Sequence, residues 1–178
     1  MGIAYSCDKP RGISYEVWEG VVTGDEWAQH VRRQVADRDW PAGDKSLTDL
    51  QLVSERSSIG KAAVKEVSAI YRTKGNRLVA GKSSIVAGKS FQKTPLYGLF
   101  ASRHGLKVII FNDIGTACKW LGIDPKEAEQ MVELLRTRMR GETSGRGESA
   151  LRSQRVEIFA VPDTHSADPQ VQDPDSVI

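Results

Sequence analysis

Two short stretches, Ala80-Gly81-Lys82-Ser83 and Ala87-Gly88-Lys89-Ser90, carry the Gly-Lys-Ser ending of a phosphate-binding loop, in which backbone amides and a lysine cradle phosphate oxygens. Such a loop needs another glycine five residues before its second one. Those positions hold Asn76 and Ser83, so neither stretch qualifies, and both lysines are expected at strand edges in solvent. Asp49 follows Leu47-Thr48 near the end of a predicted strand, where the ligand sites of α/β sheets gather. A carboxylate there could hold a ligand or act as a base, although no histidine or second carboxylate is tied to it by spacing. The competing structural reading is that Asp49 satisfies amides of the loop at Leu50–Glu55. Ser57-Ser58 stands where a helix is expected to begin, and a serine at that place ordinarily caps the helix. A phosphate added there would lie at the positive end of the helix dipole and change the surface offered to a partner.

The remaining reactive residue types are sparse. His30, His104 and His165 are scattered without a neighbour at ligand spacing, and Cys7 and Cys118 fall in predicted apolar elements. No metal site, no cofactor and no secreted disulfide framework are expected. Lys and Arg outnumber Asp and Glu by 22 to 16 over residues 1–140, and the order reverses to 3 against 7 over 141–178. A basic surplus this diffuse does not predict nucleic-acid binding, which needs a clustered patch. The acidic tail is expected either to be solvated or to lie across the basic core. No apolar run approaches the roughly 20 residues that span a bilayer, so no membrane span is expected. The first residues, Met1–Asp8, lack the pattern of a secretory signal, and a cytoplasmic location is expected.

The elements that would position these groups are legible from periodicity and caps. Ile3–Cys7 and Ile13–Val22, separated by Asp8-Lys9-Pro10-Arg11-Gly12, predict a hairpin. Thr23-Gly24-Asp25-Glu26 is a capping box, followed by Trp27, Val31 and Val35 at helical spacing. Ser46–Leu52 predicts a strand. A helix capped at Ser57 or Ser58 follows, with Ala62, Val67, Ile70 and Tyr71 as its apolar face. A strand is expected within Leu78–Ala87, most strongly at Ser84–Ala87, and a helix from Thr94-Pro95 to near Gly105. Val108–Phe111 then runs through Asn112-Asp113 into Ile114–Gly122, a strand feeding a helix. Asp124-Pro125-Lys126-Glu127 opens a last helix with apolar Ala128, Met131, Val132, Leu135 and Met139, stopping at Gly141. Residues 142–178 predict a disordered tail. Its apolar island, Val156–Val161, could join a sheet edge, fill a groove or stand alone. Trp18, Trp27 and Trp120 are expected in the core and Trp40 partly exposed.

Together, Trp18–Trp27, Leu47–Leu50, Val108–Asp113, Ala117 and Trp120–Gly122 resemble the STAS-like domains, in the bacterial branch that includes the sporulation anti-sigma-factor antagonist. The resemblance covers residues 3–123 and is mostly structural. It implies an α/β fold: a mixed four- to five-stranded sheet, with an N-terminal hairpin and then alternating strands and helices, the helices mainly on one side. The expected organisation is a domain over 1–123, a C-terminal helix over 124–141 packed on it or extending from it, and the tail. The resemblance also implies a non-enzymatic regulatory module that binds another protein. In the antagonists a kinase phosphorylates a serine in an Asp-Ser-Ser-Gly stretch. The corresponding segment here is Glu55-Arg56-Ser57-Ser58-Ile59-Gly60, where Arg56 replaces the acid and Ile59 the glycine. Ser57 and Ser58 are thus the candidate phosphorylation sites, and Asp49, Glu55 and Arg56 the candidate ligand or partner surface. The alternative is a carrier of a small apolar ligand or lipid, suggested by carrier relatives of the fold; a third reading makes Asp49 an enzyme's base. A homodimer is compatible with each.

Overall fold

The computed structural model describes residues 2–38, 45–73, 81–88, 107–141 and 156–158. The expected break at 39–44 with Trp40, the helix end at 74–76, the helix from Thr94, His104, His165 and the rest of the tail lie outside them.

The hairpin forms as its alternation requires, from β1 (Gly2–Asp8) and β2 (Ile13–Gly20), antiparallel and turned by Gly12 at φ 61°. From there β3 (Lys45–Val53), β4 (Lys82–Val86) and β5 (Lys107–Phe111) add in parallel. A short sixth strand, β6 (Val156–Ile158), pairs antiparallel with the outer edge of β1. The sheet order is β5-β4-β3-β2-β1-β6, one strand more than the sequence predicts. Of the three fates open to the Val156–Val161 island, residues 156–158 take the sheet edge.

Four helices are described: α1 (Gly24–Ala36), α2 (Lys61–Thr73), α3 (Ile114–Leu121) and α4 (Pro125–Met139). Their ends follow the local chemistry. Thr23 and Glu26 complete the capping box of α1, Asp113 caps α3, and Asp124 with Pro125 opens α4. Gly122 closes α3 at φ 67° and ψ 48°, a left-handed conformation that glycine adopts without steric cost. Among the described residues no helix is long and apolar enough to cross a membrane.

Successive side chains on a strand point to opposite faces, and both faces here are covered. Ile3, Trp18, Leu50 and Ile85 pack with Trp27, Ala28 and Val31 of α1 and with Ala63 and Val67 of α2. Ala4, Tyr15, Val17, Leu47 and Val86 pack on the other side with Ala117, Cys118 and Leu121 of α3 and with Ala128, Met131, Val132 and Leu135 of α4. The expectation of helices mainly on one side is therefore corrected: among the described residues two helices lie on each. The physical reason is that each strand carries large apolar side chains on both faces, Trp18 and Leu50 on one and Ile13, Tyr15, Val17 and Leu47 on the other, so neither face can be left in water. Helix α4 lies within the second core and is an integral layer of the domain. In α2 the buried small residue is Ala63, and Ala62 is exposed. The choice is set at the start of α1, where a Cβ on Gly24 would lie 2.5 Å from the Ala63 Cβ.

Candidate functional site at the carboxyl ends of β2 and β3

The ends of β2 and β3 lie side by side, and the loops that leave them are laced together. Gly20 O accepts from Ser54 N at 2.8 Å, Val22 O from Ser58 N at 3.1 Å, and Ser58 O from Gly24 N at 3.1 Å. The Ser57 hydroxyl oxygen accepts from Val22 N at 3.0 Å and donates to Gly20 O at 3.5 Å. Helix α2 begins only at Lys61, so neither Ser57 nor Ser58 is its cap, contrary to the sequence-based expectation. The reason is competition: the Ser58 backbone pairs with 22–24 in a short parallel bridge and the Ser57 hydroxyl is taken by Val22 and Gly20, which holds both residues in the strand-end loop. Ser57 is half-buried, whereas Glu55, Arg56 and Ser58 are exposed.

Asp49 is not on a surface. It is 1 % exposed, and its place is fixed by a bulge in β3: Val17 pairs with Asp49 but Glu19 with Leu52, so two steps on β2 face three on β3. Asp49 Oδ1 accepts from the Gln51 amide at 2.8 Å, and Oδ2 accepts from Arg136 of α4 at 2.8 Å. Burial pushes the Asp49 carboxyl up, against the Gln51 hydrogen bond and the Arg136 guanidinium that pull it down. The end of β4 closes over the same bulge, because a Cβ on Gly88 would stand 3.1 Å from Gln51 O. The glycine of one phosphate-loop lookalike thus serves close backbone approach. Beside this pair, Glu19 binds Arg140 through both carboxylate oxygens, at 3.2 and 3.4 Å, and Glu133 lies 3.8 Å from Arg136 and 4.0 Å from Arg140.

Arg136 and Arg140 were not singled out from the sequence, yet a signal is present. Ala128, Val132, Arg136 and Arg140 form one i, i+4 row on α4 that changes from apolar to basic in its last turns. The change coincides with the end of the strands, where Glu19 and Asp49 face the helix.

Two large apolar side chains remain in water at this end. Val21 is 47 % exposed and Leu52 is 45 % exposed. Leu52 pairs with Glu19 in register, and Val21 leads from β2 into the laced loops. Together with Glu55, Arg56 and Ser58 they give a mixed apolar and charged rim around ion pairs that are already neutralised.

A second polar group lies under α1, on the other face. The Glu16 carboxylate accepts from Trp18 Nε1 and, at 2.6 Å, from Gln34 Nε2, and lies 3.4 Å from His30 Nε2. Burial would push Glu16 up, but the His30 charge and the hydrogen bonds prevail and hold it at about 2. Tyr5 stacks edge-on to His30, with ring centroids 5.4 Å apart, and its hydroxyl donates to Asp37 at 2.8 Å. His30 is 2 % exposed, which closes this group to any substrate. Cys7 and Cys118 are free and buried, and burial pushes the Cys118 thiol up to about 11. No group of three His, Cys, Asp or Glu residues that could hold a metal occurs among the described residues. No protein-family model, no curated protein and no solved structure matches this chain.

Proposed function

We propose that this chain is a non-catalytic, STAS-like module that binds another protein through the carboxyl ends of β2 and β3. The observation that carries the reading is the pair of half-exposed apolar side chains, Val21 and Leu52, beside Glu55 and Arg56 on loops pinned by backbone hydrogen bonds. A rigid apolar centre with a charged rim is the usual composition of a protein interface. Asp49 supports the same reading, because both of its oxygens are engaged at the bulge and by Arg136. Its role is to fasten α4 to the strand ends that carry the rim. Of the two serines, Ser58 is the one whose side chain faces water, so the proposed phosphate acceptor is Ser58, with Ser57 holding the loop.

Photo-crosslinking in the native host tests the interface. A crosslinking residue placed at position 52 or 56 should trap the same protein, and one at the exposed Ala69 of α2 should not. The Val21→Lys, Leu52→Glu double variant should lower that yield on the order of tenfold or more. Equal yields at all three positions, or trapping unaffected by the double variant, would overturn the reading. Intact-mass measurement across growth conditions should show a phosphate on Ser58 and none on Ser57. An unmodified mass throughout would remove the phosphate part.

A further inference from the structure

The opposite end of the sheet carries a different feature. Strands β3, β4 and β5 each begin on a lysine, and the three are in register: Lys45 pairs with Lys82, and Lys82 with Lys107. Paired residues on neighbouring strands project to the same face, and strands lie about 4.8 Å apart, so three ammonium-bearing side chains start within about 10 Å of one another. Like charges set directly opposite in a sheet are destabilising. The fold relieves this only in part. Lys45 Nζ donates to Gly122 O at 3.4 Å and Lys82 Nζ to Trp120 O at 3.2 Å, both at the carbonyl end of α3, where the helix dipole is negative. Lys82 Nζ also sits 5.4 Å from the centre of the Trp120 ring. Lys107 is exposed, and none of the three forms an ion pair with a carboxylate among the described residues.

The chain contains a segment of the complementary charge. Residues 159–178 include Asp163, Asp168, Asp173 and Asp175 and no lysine or arginine. They follow β6, whose Ile158 pairs with Ala4 and so lies level with Val17 and Asp49, three strands from β3 and four residues along it from Lys45. Strand β6 runs parallel to β3, so the chain leaves Ile158 heading away from the lysine end and must turn back around the sheet edge, a path of about 28 Å to Lys45 and about 37 Å to Lys107. An extended chain covers at most about 3.3 Å per residue, so Asp163 falls short of the row, whereas Asp168, Asp173 and Asp175 can reach it.

We propose that the acidic segment 159–178 docks on the lysine row formed by Lys45, Lys82 and Lys107 of the same chain, with Asp168, Asp173 and Asp175 as its contacts. This surface is separate from the interface proposed at the carboxyl ends of β2 and β3, and either assignment can fail without the other.

Carbodiimide coupling of the full chain at low salt, which joins a lysine amine to a carboxylate in contact, tests it by peptide mapping. The expected products join Lys45, Lys82 or Lys107 to Asp168, Asp173 or Asp175. They appear in the monomer at every protein concentration and fade at about 0.5 M salt, where the screening length falls to a few ångströms. A synthetic peptide of residues 159–178 should bind the full-length Asp168→Asn, Asp173→Asn, Asp175→Asn variant about two- to tenfold more tightly than the parent, whose tethered segment competes. Absence of these couplings while other lysines couple to carboxylates would overturn the proposal. Coupling only in a dimer that grows with concentration, or equal peptide affinity for parent and variant, would overturn it as well.

Discussion

Two carboxylates with little exposed surface, Glu16 on one face of the sheet and Asp49 on the other, are held in opposite ways. Under α1, Glu16 is met by an indole, an amide and His30, and these hold it at about 2. Under α4, Asp49 is met by one backbone amide and one guanidinium, and burial still keeps its carboxyl raised. At Glu16 the His30 charge, with three side-chain hydrogen bonds added to it, outweighs burial, whereas at Asp49 the Gln51 hydrogen bond and the Arg136 charge together do not. The pH consequences have opposite sign. Glu16 binds its proton more weakly in the folded chain than unfolded. Its contribution is therefore fully present above about 4.5 and is lost as pH falls through about 2. Asp49, with a raised folded value, contributes below its unfolded value of 3.8 and loses that contribution as pH rises through the folded one.

The comparison is broken most severely at Arg136. Arg136→Ala leaves Asp49 buried with one donor and should lower the unfolding free energy by about 3–5 kcal/mol, read from the urea midpoint. Adding Asp49→Ala to that variant should recover much of the loss, since no unpaired charge then remains. The next effect is at Glu16. Glu16→Gln should cost on the order of 1–3 kcal/mol near pH 5, the usual worth of hydrogen bonds to a charged, buried group. The difference from the parent should shrink as pH is lowered from about 5 towards 2. A constant difference over that range would show that Glu16 is held by packing and not by charge. Gly24→Ala forces a methyl group against Ala63 and should cost about 1–3 kcal/mol, with Ala63→Gly as a partial rescue in the same measurement. The smallest effect is expected at Arg140, which is one-third exposed beside Glu19. Arg140→Ala should cost about 1 kcal/mol or less and become milder at high salt, which Arg136→Ala should not.

Much of the layout is legible in the chain because it is local. The Thr23–Glu26 box, Asp113 before α3, Gly122 after it, and Asp124-Pro125 before α4 each act within a few residues, and the structure shows all of them. Trp18 and Trp27 are buried as their apolar neighbours predict. The start of α2 is misread because the deciding contact is not local: Ser57 and Ser58 have cap-like side chains, but the end of β2, some 35 residues earlier, engages the Ser57 hydroxyl and the Ser58 backbone. Asp49 is read half correctly. Its hydrogen bond to the Gln51 amide is the loop-satisfying role the sequence offers, whereas its burial depends on an arginine 87 residues later.

The sequence by itself determined the α/β class, the succession of strands and helices, and most of their ends, because periodicity and capping are properties of neighbouring residues. Tertiary structure alone decided that helices cover both faces, that Glu16 meets His30 and Asp49 meets Arg136, that Val156–Ile158 closes the β1 edge, and that three lysines stand in one row. Each of these depends on register. In a sheet a shift of one residue exchanges the two faces, and the bulge at Asp49 makes such a shift within β3, so strand pairing settles what the local pattern leaves open.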